Sequence, residues 1–215
     1  LGINIGPNKN TKDQKNDFCL GLKNFFDLAD YITLNISSPN TDGLRDFHEE
    51  QKLKDLLLTL NKIKKENKTN IPLLIKISPD ISDDYIPDIT DIALKNDISG
   101  LILTNTTISH RDKLINKFKK EGGGLSGEPL QQISTNIIKK FYKQLNGKIP
   151  IIGVGGINSG KSAYEKIIAG ASLLQLYTGL VYKGPSLVKN IKKELIQILK
   201  EDGLNNIKEA IGKSL

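Results

Sequence analysis

A chain of 215 residues is long enough for one sizeable α/β domain or for part of a larger one, and its single cysteine, Cys19, excludes a disulfide scaffold and fits a reducing compartment. The net charge of +7 comes from lysines mixed with acids on predicted helix faces (KKEN, KNIKK, IIKKF), with arginine only at Arg45 and Arg111, a solvated surface rather than a nucleic-acid-binding one. No apolar run among these residues approaches the roughly 20 of a membrane span, and none of them is expected to form a signal peptide. Methionine is absent even at position 1, and the opening LGINIG reads as strand interior, so an N-terminal portion is expected to precede Leu1.

Taken in chain order, the predicted strands are GINI (2–5), YITLNI (31–36), IPLLIKI (71–77), SGLILT (99–104), IPIIGV (149–154) and SLLQLY (172–177). Each is a continuous apolar, β-branched run, as expected where both faces of a sheet are covered. Helical stripes separate them: Phe18, Leu22, Phe25 and Ala29; Leu53, Leu56, Leu57, Leu60 and Ile63; Ile86, Ile89 and Ala93; Ile133, Ile137, Phe141 and Leu145. A last stripe, Leu187, Ile191, Leu195 and Ile198, follows the sixth strand. No low-complexity linker interrupts the pattern, so one domain over 1–215 is expected. Six β-then-α units imply a parallel sheet with right-handed crossovers, closed either as a doubly wound sheet or as a (β/α)8 TIM barrel. In the barrel these would be about the last six units, with the first two strands upstream.

A barrel concentrates chemistry at the C-terminal ends of its strands. Those ends carry Asn4, Asn35 to Ser38, Lys76, Thr104 to Thr106, Gly153 to Gly156, and Tyr177 with Thr178. GVGGINSG (153–160) and LYTGLVYKGP (176–185) supply glycines that let backbone N–H groups approach an anion, at the position where barrels commonly bind phosphate. Lys76 sits within LIKI, where burying a cation is costly unless a counter-charge arrives. NISSPN and TNTT place Asn35, Asn40 and Asn105 where amides can grip a planar polar ring, although Asx-turn and N-cap chemistry would use the same residues. GGGLSGEPL (122–130) follows a charged excursion over 108–121 and leads into the next helix. His48 and His110 have neither metal-ligand spacing nor a carboxylate partner, and no metal is expected.

Seven peptides together resemble the class 2, quinone-linked dihydroorotate dehydrogenases: GINIGPNK (2–9), NISSPNTDGLR (35–45), LIKISPD (74–80), LTNTT (103–107), GGLSGEPL (123–130), PIIGVGGI (150–157) and AGASLLQLYTGLVYKGP (169–185). The resemblance covers nearly the whole chain in the family's order. It implies a TIM barrel that binds FMN through Asn4, Asn35, Lys76, Thr104, Gly127, Gly156, Tyr177 and Thr178. It implies dihydroorotate binding by Asn35, Asn40, Asn105 and Thr106, with Ser38 as catalytic base and Thr41 as a relay for its proton. Class 1 enzymes carry cysteine at the Ser38 position, so the serine selects class 2. Asp42 departs from the proline common in the family. An early FMN loop, a substrate lysine, an Asn/Phe substrate loop and a helical quinone tunnel are absent from these residues.

The implied reaction removes a proton from C5 of dihydroorotate and a hydride from C6, giving orotate in pyrimidine biosynthesis, with a quinone as final acceptor. The implied setting is peripheral, on the cytoplasmic side of the cell membrane, through the region upstream. Lys76 would stabilise negative charge on the flavin, and closure of the 38–48 loop would exclude water. The competing readings are another phosphate-binding barrel and, less compatible with the scarce arginine, a basic nucleic-acid module.

Overall fold

The structure is a computed structural model that describes residues 1–109, 111 and 114–215. In chain order it contains β1 (Gly2–Ile5), α1 (Gln14–Phe25), β2 (Tyr31–Asn35), α2 (Glu50–Glu66), β3 (Leu73–Ile77), α3 (Tyr85–Lys95) and β4 (Gly100–Leu103). There follow α4 (Gln131–Leu145), β5 (Ile151–Val154), α5 (Gly160–Ile168), β6 (Leu173–Gln175), α6 (Thr178–Lys183) and α7 (Ser186–Glu201). The predicted strand runs are trimmed at their ends. Pro72 and Pro150 have no N–H for a ladder, yet their carbonyls still accept from Ile32 (2.9 Å) and Leu101 (3.1 Å).

All six strands are parallel and lie in the order β1-β2-β3-β4-β5-β6. A doubly wound sheet reverses its strand order at a switch point; here each strand neighbours its successor, so the sheet is an arc of a barrel. Its two faces are chemically distinct. Outward residues such as Ile32, Leu34, Leu73, Ile75, Leu101, Leu103 and Ile151 join the main core beneath α1 to α4. Inward residues Leu74, Ile102 and Ile152, with Tyr31 and Val154, form a separate cluster. β1 and β6 each pair on one side only among the described residues.

The helical stripes fall largely as the spacing predicts, with Leu53, Leu56, Leu57, Leu60 and Ile63 of α2 all buried. One correction is needed in α1. Its last residue, Phe25, is exposed, and Phe26 packs on the core in its place, because the helix ends at Phe25 and the chain turns there. Asp13 caps α1 by accepting from the Asn16 N–H (2.9 Å), and Ser159 with Ser162 forms a capping box on α5. Cys19 is half-buried against the core, and burial pushes its thiol pKa up. Among the described residues no helix is long and apolar enough to cross a membrane, and no cluster of His, Cys, Asp and Glu is placed to hold a metal.

Lys166 of α5 is fully buried and makes no ion pair among the described residues. Its Nζ donates to the Gln131 carbonyl (3.2 Å), the Thr135 hydroxyl (3.1 Å) and the Ser134 hydroxyl, pinning α5 to the first turn of α4. Burial lowers its pKa to about 7, opposed by the nearby Glu165 carboxylate. The folded state therefore sheds this proton at lower pH than the unfolded chain, so stability rises with pH above about 7. Denaturant unfolding should show a gain on the order of 1–3 kcal/mol between pH 7 and about 9.5, and Lys166→Met should flatten that slope.

Candidate functional site

Parallel pairing sets Asn35 beside Lys76, and Lys76 beside Ile102. These three point inward, and the polar pair sits at the C-terminal end of the arc. Lys76 is half-buried and makes no hydrogen bond or ion pair among the described residues; burial lowers its pKa. It lines a cleft of about 880 Å³ together with Thr104, Asn105, Thr106, Gly127, Gly156, Tyr177 and Thr178. Ser126, Asn158, Tyr182 and Lys183 also line it.

Beside Lys76 three polar side chains form a closed triangle. The Asn105 Nδ2 donates to the Asn35 Oδ1 (3.2 Å) and to the Ser37 hydroxyl (2.9 Å), and that hydroxyl donates to the Asn35 Oδ1 (3.0 Å). The Asn105 Oδ1 accepts from the Thr106 backbone N–H (2.7 Å). Both amides are thus oriented by neighbours, as residues that must present one donor and one acceptor in a plane require.

The loop after β4 doubles back, and Thr107 and Leu125 exchange backbone hydrogen bonds of 3.1 and 2.7 Å. This brings Gly124 onto Thr106 and Pro39 so tightly that a Cβ there would overlap the Thr106 side chain. Ser38 and Asn40 flank Pro39 on the opposite wall. The Ser38 Oγ accepts the Asn40 N–H (3.2 Å), and the Asn40 Oδ1 lies 3.7 Å from the Cβ position of Gly123. Downstream, Phe47 packs edge-on against Phe18 of α1 at 5.7 Å, and Gln14 Nε2 donates to the Asp42 carbonyl (2.8 Å), fixing both ends of the Ser38 loop.

At the far wall, Gly155 and Gly156 have φ of 119° and 73°, and a Cβ at Gly156 would come within 2.6 Å of Gln131 Cα. Gly127 has φ 81° and lies against Thr178, whose hydroxyl donates to Ser126 (3.0 Å). Such glycine turns leave backbone N–H groups open to an anion.

The structure brings Asn35, Lys76, Thr104, Asn105, Thr106, Gly127, Gly156, Tyr177 and Thr178 to one mouth. Ser38 and Asn40 stand on its rim through Pro39 and Gly124. Asn4 is exposed on β1 opposite Thr33, two strands from Lys76. The Thr41 hydroxyl makes no hydrogen bond to Ser38 or to any other described residue. Sequence reasoning passed over Ser37, although the inward alternation of β2 continued by two residues from Asn35 points to it. His48 is buried with its pKa lowered to about 4, first by burial and then by Arg45, so it is neutral at ordinary pH. His110, and part of the 108–121 excursion with it, lies outside the described residues.

A family profile described as dihydroorotate dehydrogenase matches residues 1–199. The chain belongs to the dihydroorotate dehydrogenase family. It is 45% identical to the dihydroorotate dehydrogenase (quinone) of Bartonella tribocorum over 97% of this chain and 59% of that protein. It is 46% identical to the mitochondrial dihydroorotate dehydrogenase (quinone) of Arabidopsis thaliana, over 99% of this chain and 47% of the relative. Its backbone matches the crystal structure of the Eimeria tenella enzyme in complex with ferulenol with a TM-score of 0.95 at 38% identity, over 100% of this chain and 61% of the other. The chain thus spans about half to three-fifths of the length of these relatives, and its six strands correspond to the last six β/α units of a TIM barrel.

Gly156→Ala should lower the unfolding free energy by about 1–3 kcal/mol, combining backbone strain with overlap on Gln131. Gly203→Ala, at φ 69° past the end of α7 with nothing within 4 Å, should cost only the backbone share, about 1 kcal/mol. Denaturant unfolding of the two variants side by side checks the difference.

Proposed function

We propose that the protein oxidises (S)-dihydroorotate to orotate, with FMN as hydride acceptor and a quinone as final acceptor, in pyrimidine biosynthesis. The observation that carries this reading is Lys76: a half-buried, unpaired cation beside a ring-gripping pair of oriented amides, in a cleft walled by glycine turns. That donor set suits a planar, phosphorylated, electron-poor ring system. Lys76, Asn35 and Thr104 would hold the ring, and the turns at Gly127, Gly156 and Tyr177 to Thr178 its phosphate, with Asn4 a further contact from β1. When bound, the flavin supplies the acceptor for the two electrons that leave with the C6 hydrogen.

The remaining chemistry falls to this chain. Asn40, Asn105 and Thr106, with Asn35, orient the substrate ring, since each amide offers a donor and an acceptor in one plane. Ser38 takes the C5 proton, and because a free serine hydroxyl is a weak base it must pass its own proton on as it does so. Thr41, on the same loop, would carry that proton onward through a water. Lys76 contributes a fixed positive charge where negative charge accumulates, in a site that closure of the 38–48 loop dries. The quinone follows from the names its relatives share, and with it a peripheral contact with the membrane from which a quinone is drawn.

In the full-length protein, Ser38→Ala should lower dihydroorotate oxidation by about 10²- to 10⁴-fold while the flavin absorbance bands persist. Unchanged turnover would remove Ser38 from its role. Lys76→Ala should reduce flavin content or flavin reduction, read from the same bands. Colourless full-length protein that takes up no FMN would reject the assignment as a whole.

A further inference from the structure

We propose that Asp80 is a positioning residue for the reductive half of this reaction, holding Ser38 at a fixed separation from the substrate grip of Asn105 and Thr106. The inference rests on the function proposed above and assigns a role to Asp80, Arg45 and Thr107, which that reading places against neither ligand.

Asp80 lies three residues beyond β3, half-buried, behind the wall that carries the mouth. Its Oδ2 accepts from the Arg45 guanidinium (3.1 Å) and from the Ile108 backbone N–H (3.0 Å), and its Oδ1 accepts from the buried Thr107 hydroxyl. One carboxylate therefore receives donors from two separate loops, the one after β2 and the one after β4. Arg45 continues the connection, with its Nε 3.4 Å from the Ser37 carbonyl. Ser37 in turn is held through its hydroxyl by Asn105 (2.9 Å), and Asn105 stands two residues before Thr107.

The result is a closed circuit, from Asp80 to Arg45, Ser37, Asn105, Thr107 and back. Ser38 follows one member directly, and Thr106 lies between two others. A carboxylate shared by charge-assisted donors is a stronger tie than neutral hydrogen bonds of equal length, and it is the only charged link in the circuit apart from Arg45 itself. Opening it frees the Ser38 loop and the Asn105–Thr106 rim to move independently, even though every residue at the mouth is retained. Misplacement of about 1 Å between reacting groups can cost on the order of 10²-fold in rate.

Three variants of the full-length flavoprotein test this: Asp80→Asn, which keeps size but loses charge; Arg45→Lys, which loses the fork; and Thr107→Val, which exchanges a hydroxyl for a methyl. Rapid mixing of oxidised enzyme with dihydroorotate should show flavin reduction slowed by about 10- to 100-fold in Asp80→Asn, and less in Thr107→Val. Flavin content, and reoxidation of the reduced flavin by a quinone, should stay at the wild-type level. General destabilisation would depress both half-reactions and overturn the proposal. So would wild-type reduction rates in Asp80→Asn and Thr107→Val, and if Asp80→Asn does not fold, Thr107→Val and Arg45→Lys decide it. Wild-type protein whose flavin is not reduced by dihydroorotate would reject the functional reading and this inference with it, whereas a reducing wild type with unaffected variants rejects this inference alone.

Discussion

Parallel pairing in register fixes what each strand can offer the interior of the arc. Asn35, Lys76 and Ile102 are lateral neighbours, so they share a face, and their alternating partners Leu34, Ile75 and Leu101 are committed to the helices. The helix side accepts only apolar residues, since it is sealed by α1 to α4, and polar groups are therefore confined to the inward positions. On the same face Leu74, one inward position before Lys76, joins Ile102 and Ile152 in an apolar cluster beside it. The inward positions at and just beyond the strand ends gather an amide at Asn35, a lysine at Lys76 and a threonine at Thr104, with the buried Thr33 one inward position before Asn35.

The loops beyond those strand ends are held by different means according to what they carry. The turns at Gly127, Gly155 and Gly156 use positive φ and direct backbone packing against Thr178, Leu130 and Gln131, which leaves no room for a side chain. Behind them, Lys166 secures the start of α4 with three hydrogen bonds and, among the described residues, no ion pair. The Ser38 loop is instead tied through side chains, by Gln14 at one point and Arg45 at another, with Phe47 inserted against Phe18. Backbone packing gives a rigid wall, whereas side-chain ties between exposed loops can be released and remade.

Much of the arc was legible because its signals are local. Continuous runs such as LLIKI need both faces covered, and the stripes of α2 and α4 repeat at helical spacing, so strands and helices followed from neighbouring residues alone. Phe25 was misplaced because one position at the end of a helix is decided by where the chain turns, which spacing does not encode. The mouth was legible in outline through the strand-end residues. Its internal wiring was not: the contact between Arg45 and Asp80 spans 35 positions, and that between Asn105 and Ser37 spans 68.

The margins of β1 and β6 have a place in the closed fold. An eight-stranded barrel has no free edge, so in the fold these strands belong to, the two margins are the seams at which two further strands pair. Leu173 and Tyr177, exposed here beside the β6 margin, stand at one of those seams.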